Sequence, residues 1–218
     1  MVDAATLLDA ELSATQLANF VFGSMDRVVH RASDFAVGLS LSFLCTDTYE
    51  SLNTENLGGW HAGEGMTYLH IGGRAHFSDA YWPAVNPRRL PGMTVEAAHP
   101  RANGSGQSTN PSFNWVGGVS LGRTGAAGLR LDGWSNTLPA KKSWFIFGHE
   151  ILRLVSHITS TDNRPIETAI ENRLIGTAGN GALIVEGTAK PVALGRVETL
   201  ATPCWAQLAA RTAAAEGD

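Results

Sequence analysis

A chain of 218 residues is long enough for one sizeable domain with its own hydrophobic core. Its formal net charge is -4 and 17% of its residues are charged, which excludes the basic surface of a nucleic-acid-binding protein and the acidic excess of a disordered tail. Its 24 glycines favour a turn-rich, mostly β fold, because each glycine inside a helix costs about 1 kcal/mol relative to alanine.

The first segment, residues 1–22, predicts a short helical lead-in. The apolar residues that recur there at helical spacing are Leu7, Leu8, Leu12, Leu17, Phe20 and Val21. Met1–Ala10 has no basic region followed by an apolar run, and no segment has the roughly 20 apolar residues of a membrane helix. We therefore expect no membrane partner and, for the chain as written, a cytoplasmic location.

Residues 23–208 have short β-rich runs separated by turn residues. The predicted strands are Arg27–Arg31, Phe35–Phe43, Met66–Ile71, Trp115–Leu121, Gly128–Leu131, Lys142–Phe147, Glu150–Ile158, Ile166–Arg173 and Ala182–Val185. Because no helical crossover separates them, they predict an antiparallel β-sandwich. His99–Ser112 predicts a long exposed loop, and the alanine-rich residues 209–218 predict a frayed tail.

The two cysteines, Cys45 and Cys204, are too few for a disulfide framework or a metal cluster, and we expect both to be small buried side chains. His149 and His157 lie about 27 Å apart if they share one strand, too far to share a metal ion. We expect neither a metal nor another cofactor.

The densest polar cluster is Tyr49–Gly65, a glycine-rich segment with carboxylates, amides, a tryptophan and a histidine. Amides and acids bind sugar hydroxyls, and an aromatic face packs on a pyranose ring. The segment therefore predicts a sugar site in which Tyr49, Asn56, Trp60 and His61 contact the ligand. The alternative is a polar turn whose side chains bond their own backbone.

Tryptophans and basic pairs also allow two interpretations. Trp60 and Trp82 lie among glycines and prolines and can stack on sugar rings, whereas the strand-like surroundings of the other predicted core tryptophans favour burial. Those core tryptophans are Trp115, Trp134 and Trp144. The pairs Arg88-Arg89 and Lys141-Lys142 either meet an anionic polysaccharide or form a solvated face.

Eight short sequence motifs, which follow one another along the chain, resemble the motifs of one protein family. They are SMDRVVHR at Ser24–Arg31, YESLNTENLGGW at Tyr49–Trp60, GMTYL at Gly65–Leu69, YWPAVNP at Tyr81–Pro87, RLPGMT at Arg89–Thr94, WVGGV at Trp115–Val119, AKKSWF at Ala140–Phe145 and ETAIENR at Glu167–Arg173. With these blocks the chain resembles polysaccharide lyase family 8, which contains hyaluronate, chondroitin AC and xanthan lyases.

The resemblance implies a secreted or periplasmic lyase in which an α/α toroid precedes β-sandwich layers and an acidic polysaccharide lies between them. It implies β-elimination, with an Asn, a His, a Tyr and Arg residues of the helical domain as catalytic groups. Glu50 and Asn53 fall where the family places cleft-bordering residues that support those groups. We therefore expect a lyase fragment with little or no activity alone, because the helical domain is missing from this sequence.

Other outcomes stay open. Tyr49, Asn53 and His61 are the nearest set that can substitute for the missing groups, unless Tyr49 packs at a strand end and His61 caps a loop. The chain can instead be a non-catalytic carbohydrate-binding or scaffold module. As a truncated remnant, it would expose an apolar face that binds a helical toroid or a second copy. Glu64 and His70 stand where similar family members usually have Asp and Tyr, and Leu44 lies near the place of an absent Arg; these changes are either drift or adaptation to another ligand. The ancestral polysaccharide stays open, because specificity in this family would depend on cleft residues outside this chain.

Overall fold

The computed structural model describes residues 17–71, 75–78, 80–97, 112–133, 137–173, 183–191, 193, 195–201 and 205–208. Within them the helical elements are a 3₁₀ turn at Ala75–Phe77 and the short helix α1 at Tyr81–Ala84. The strands are β1 (Asn19–Phe22), β2 (Arg27–Arg31), β3 (Phe35–Ser40), β4 (Met66–Ile71), β5 (Thr94–Glu96), β6 (Val116–Leu121), β7 (Thr124–Asp132), β8 (Pro139–Phe147), β9 (Ile151–Ser156), β10 (Ile166–Thr168), β11 (Leu183–Val185), β12 (Thr188–Lys190) and β13 (Ala206–Leu208).

The first sheet contains β1, β2, β3 and β4 in chain order, and every neighbouring pair is antiparallel. The register pairs Arg27 with Ser40 and Ser40 with Met66, so these three side chains lie on one face of the sheet. Val28 and Leu39 are paired on the opposite face and are buried. The face that carries Arg27 is called the outer face of the first sheet.

The second sheet contains β6, β7, β8 and β9, again antiparallel and in chain order. It packs against the inner face of the first sheet. The buried core between the sheets contains Val28, Val37, Leu39, Leu41, Ala127, Leu129, Trp144 and Ile146. Burial of each large apolar side chain contributes about 2–3 kcal/mol, so this core is the main stabilising element of the sandwich.

A second, smaller core lies against the outer face of the first sheet at β4. Its buried members are Met66, Tyr81, Leu90, Met93 and Val95. The segment that follows Leu90 forms β5, which pairs antiparallel with β10. Strand β11 pairs with β12 and β13 in a separate three-stranded sheet. The second core therefore places residues 81–96 beside the outer face, where they border the candidate site.

The predicted antiparallel β-sandwich is confirmed, and β2 and β4 have the bounds that the sequence predicts. The helix prediction is wrong at Asn19–Phe22, which forms β1 because it pairs with β2. Residues 1–16 of the predicted lead-in, most of the His99–Ser112 loop and the 209–218 tail lie outside the described residues. Sequence reasoning missed β5, β12 and β13, which have three residues each.

Three burial predictions are wrong. Cys45 is exposed, and Cys204 lies outside the described residues. Trp115 is 55% exposed and lies over Gly128, where a β-carbon would approach its ring to 2.7 Å. Lys142 is fully buried, so it neither faces solvent nor meets a polysaccharide.

Two further burial results concern tryptophans. Trp144 is fully buried, as predicted. Trp134 lies outside the described residues.

The outer side of the second sheet exposes a row of large apolar side chains, here called the apolar face. Its members are Val119, Leu121, Phe145, Phe147, Leu152 and Leu154, each between 37% and 80% exposed. The register joins Val119 to Ala126, Ala126 to Phe145 and Phe145 to Leu152, so the row crosses all four strands. Contiguous apolar surface of this kind marks an interaction site more often than a solvated surface.

Candidate functional site

A groove of about 470 Å³ lies on the outer face of the first sheet. Its lining residues are Arg27, Ser40, Asp47, Thr48, Tyr49, Glu50, Ser51, Leu52, Asn56, Ala62 and Tyr68. Arg27, Ser40 and Tyr68 come from β2, β3 and β4 and form its floor. The loop between β3 and β4 supplies the remaining side chains, so a rigid sheet supports a polar loop.

The loop is held by local hydrogen bonds. The Asn56 amide Nδ2 donates to the Glu50 carbonyl over 2.6 Å, and the Ser51 hydroxyl donates to the Glu55 carbonyl over 2.9 Å. Asn53 and Asn56 have φ angles of 51° and 52°, a left-handed conformation that asparagine tolerates better than most residues. These bonds fix the backbone at Glu50 while its side chain stays exposed.

The C-terminal end of the loop contains a buried pair of contacting polar side chains. His61 Nδ1 lies 2.6 Å from Glu64 Oε2, and both side chains are 1% exposed. His61 Nε2 has no hydrogen-bond partner in the part of the chain that the structure describes. The ring of His61 therefore belongs to the packed base of the loop.

Below this pair, the buried Lys142 amino group joins two chain segments. Its Nζ donates to the Glu64 carbonyl over 2.7 Å and to the Gly92 carbonyl over 3.1 Å. Gly92 and the residue after Glu64, Gly65, have φ angles of 90° and 91°, which favour glycine. Burial lowers the pKa of Lys142 to about 7, against the opposing charge of Glu64.

A smaller cavity of about 220 Å³, here called the Trp60 pocket, is lined by Trp60, Asn86, Pro87, Arg88, Arg89, Ala97 and Glu167. The Arg88 guanidinium lies 5.9 Å from the centre of the Trp60 ring, a cation–π distance. Arg89 bonds Glu167 through two nitrogens at 2.9 and 3.0 Å. These bonds lower the pKa of Glu167 and raise the pKa of Arg89.

The structure separates the predicted site residues into groups. Tyr49, Glu50 and Asn56 line the groove. Trp60, Arg88 and Arg89 line the Trp60 pocket. Asn53, which is exposed, and the buried His61 are among the lining residues of neither cavity. The structure therefore does not bring Tyr49, Asn53 and His61 together in the groove, and the proposed contacts with a ligand stay predictions.

The two tryptophans proposed for sugar stacking differ in exposure. Trp60 is only 6% exposed, whereas Trp82 is 46% exposed. The Trp82 indole nitrogen donates to the Phe77 carbonyl over 3.0 Å, and its ring lies edge-on to Tyr81 with 5.2 Å between centroids. Trp82 therefore keeps ring surface available to a ligand, while Trp60 is largely covered.

Sequence reasoning missed Arg27, Asp47 and Tyr68 as groove residues. Arg27 and Tyr68 lie in correctly predicted strands, and the twofold alternation of each strand gives the face of its side chains. Only the pairing of β2 with β3 and β3 with β4 places them on one face. A register prediction is the signal that would have found them.

The described residues contain no group of three or more His, Cys, Asp or Glu side chains placed to hold a metal ion. None of their helices is long and apolar enough to cross a membrane.

Comparison with known proteins gives a consistent result. The xanthan lyase of Bacillus sp. (strain GL1) is 43% identical over 192 residues, which are 88% of this chain and 20% of that protein. The hyaluronate lyase of Thermasporomyces composti is 34% identical over 190 residues, 86% of this chain and 24% of that protein. The structure of Paenibacillus xanthan lyase matches with a TM-score of 0.80 and 42% identity over 89% of this chain and 18% of that one.

The chain thus spans between 18% and 24% of the length of these relatives. The model of the family described as polysaccharide lyase family 8, super-sandwich domain, matches residues 17–214. This match covers most of the chain and confirms the resemblance inferred from the sequence blocks. The chain belongs to polysaccharide lyase family 8 and contains its super-sandwich domain.

Proposed function

We propose that this chain forms the β-sandwich side of a polysaccharide lyase cleft and binds an acidic polysaccharide of the xanthan, hyaluronan or chondroitin type. The observation that supports this function best is the groove, because Tyr49, Glu50 and Asn56 line it and belong to the block that carries the family resemblance. Its volume of about 470 Å³ falls within the roughly 300–1,000 Å³ of small-ligand sites.

The reaction of such a lyase needs three groups: a base for the C5 proton, donors that neutralise the sugar carboxylate, and an acid for the leaving oxygen. In the groove, Tyr49 is accompanied by neither Asn53 nor His61. His61 is instead buried in contact with Glu64. We infer that the isolated chain binds polysaccharide with little or no turnover, and that a helical domain supplies the catalytic groups.

Calorimetric titration with hyaluronan, chondroitin and xanthan oligosaccharides tests binding, and ultraviolet absorbance of unsaturated uronate tests elimination in the same samples. A neutral oligosaccharide of equal length serves as the control ligand. We expect saturable binding of at least one acidic ligand and a flat absorbance trace. Absence of binding to all three contradicts the proposed function, and rising absorbance contradicts the proposed inactivity.

A non-catalytic binding module would use the same groove, and Trp82 next to Tyr68 favours this second candidate. The two rings lie 6.3 Å apart between centroids, and Tyr68 lines the groove, so Trp82 can extend a sugar-binding surface beyond it. Addition of a family helical domain in trans separates the candidates. Restored elimination supports the lyase fragment, whereas binding without restored elimination supports the module.

The apolar face suggests a protein partner. We propose that the isolated chain self-associates through it, because exposed apolar rows on two copies can cover each other about a twofold axis. Phe145 and Leu152 lie opposite each other near the middle of this face. Sedimentation velocity at rising protein concentration should show a growing dimer fraction. A monomer at all concentrations contradicts self-association.

A further inference from the structure

Arg27 is anchored in the groove floor by one end of its guanidinium. Nη1 lies 3.0 Å from the Met25 carbonyl, 3.1 Å from the Asp26 carbonyl and 2.9 Å from the Leu41 carbonyl, and it donates to them. Within the described part of the chain, Nε and Nη2 make no hydrogen bond. The remaining edge of the guanidinium is therefore preorganised, and its parallel N–H groups match the two oxygens of a carboxylate.

Tyr68 lies beside Arg27 on the same face of the first sheet. The register places Gly38 between their strands, opposite both Val29 and Tyr68. Arg27 lies in the adjacent row, opposite Ser40, so Arg27 and Tyr68 are diagonal neighbours on this face. Burial raises the pKa of Tyr68 above its usual value of 10, and the positive charge of Arg27 opposes this shift. The phenol stays protonated at neutral pH and remains a hydrogen-bond donor.

The loop contributes two acidic residues to the groove lining, Asp47 and Glu50. Carboxylates accept hydrogen bonds from sugar hydroxyls and repel a ligand carboxylate. The lining of the groove therefore combines an arginine of β2 with two carboxylates of the loop. An acidic sugar unit is favoured in one orientation, with its carboxylate towards β2 and its hydroxyls towards the loop.

We propose that Arg27 binds the carboxylate of an acidic sugar unit in the groove and that Tyr68 donates a hydrogen bond to the same unit. Arg27 thereby makes the groove select acidic over neutral sugars. This inference rests on the proposed function, because it requires that the groove holds a polysaccharide. The inference names Arg27 as the residue that recognises the negative charge of the ligand.

The test compares a hyaluronan tetrasaccharide with its carboxyl-reduced, neutral counterpart by calorimetric titration. We expect the wild-type chain to bind the acidic ligand about 10- to 100-fold more tightly, the range of a charge-assisted bidentate contact. Arg27→Gln should remove this preference while leaving the affinity for the neutral ligand within about twofold. Loss of both affinities to the same extent would contradict selection by charge.

Arg31→Gln is the matched control, because Arg31 lies four residues further along β2 on the same face and does not line the groove. It should leave both affinities unchanged. If Arg27→Gln does not fold, the variants Arg27→Lys and Tyr68→Phe test the inference in its place. We expect Arg27→Lys to reduce the preference at least severalfold, because lysine lacks the fork, and Tyr68→Phe to weaken both ligands a fewfold. Unchanged preference in Arg27→Lys overturns the inference.

The outcomes also separate this inference from the proposed function. A wild-type chain that binds neither ligand contradicts the proposed function. A wild-type chain that binds both ligands equally, or an Arg27→Gln variant that keeps the preference, contradicts only the role of Arg27.

Discussion

The groove and the Trp60 pocket are both lined by charged side chains, but they use those charges differently. In the Trp60 pocket, Arg89 is bonded to Glu167 through two nitrogens, and the Arg88 guanidinium lies over Trp60. In the groove, Arg27 keeps one edge of its guanidinium unbonded within the described residues, and it faces a loop with Asp47 and Glu50.

A charge that is visible in the sequence is not always available to a ligand. Arg88-Arg89 is the more obvious basic pair in the sequence, yet each member already has an internal partner. Arg27 is a single arginine in a strand, and it is available because backbone carbonyls hold only one of its nitrogens. Ligand binding is therefore expected at the groove rather than at the Trp60 pocket.

The largest expected effect comes from Lys142, which connects the two sites. It bonds the Glu64 carbonyl at the end of the groove loop and the Gly92 carbonyl, three residues after Arg89. Lys142→Met keeps the long stem but leaves both buried carbonyls without this donor. We expect the free energy of unfolding at about pH 9 to fall by roughly 2 kcal/mol, measured by urea denaturation.

The same variant has a pH signature. Because the pKa of Lys142 is lowered from 10.5 to about 7 in the folded chain, the unfolded chain holds a proton between these values that the folded chain has released. Its contribution to stability is therefore complete above about pH 10.5 and is lost as the pH falls towards about 7. The difference in the free energy of unfolding between wild type and Lys142→Met should therefore shrink as the pH falls over that range.

The neighbouring Lys141 provides the control for both measurements. It is exposed, so Lys141→Met should change the free energy of unfolding by less than about 0.5 kcal/mol at every pH. If the difference in the free energy of unfolding between wild type and Lys142→Met stayed constant with pH, the stabilising effect of Lys142 would not depend on its protonation state.

An intermediate effect on ligand affinity is expected at Asn56, on the groove side. Asn56→Ala removes the bond to the Glu50 carbonyl and frees the loop that lines the groove. We expect the affinity for an acidic oligosaccharide to fall about fivefold, equivalent to about 1 kcal/mol. Asn53→Ala is the control, because Asn53 has nearly the same φ angle and does not line the groove. Equal losses in the two variants would make backbone strain, not groove order, the cause.

The smallest effect is expected in the Trp60 pocket. Arg89 and Glu167 are 58% and 39% exposed, and exposed ion pairs contribute about 0–1 kcal/mol. Arg89→Ala should therefore lower the free energy of unfolding by about 0.5 kcal/mol and leave oligosaccharide affinity unchanged in titration. An affinity loss as large as that of Asn56→Ala would move the ligand site to the Trp60 pocket.

For some strands, the local sequence is sufficient to predict both the strand and its bounds. The bounds of β2 and β4 follow from alternating β-rich runs with clear turn residues on both sides. Asn19–Phe22 was predicted as a helix because its spacing is ambiguous over four residues, and pairing with β2 decided otherwise. Short strands such as β5 are stable only beside a partner, here β10, so a local pattern does not identify them.

The sequence by itself determined the mostly β composition, the antiparallel sandwich, the family and the polar loop that borders the groove, because alternation, turn residues and ordered motifs are local properties. Tertiary structure decided the rest. It buried Lys142 and His61, bonded Arg89 to Glu167 and placed Arg27 beside Tyr68. These contacts join residues distant in the chain, and their burial and charge depend on strand register and packing, which no local pattern records.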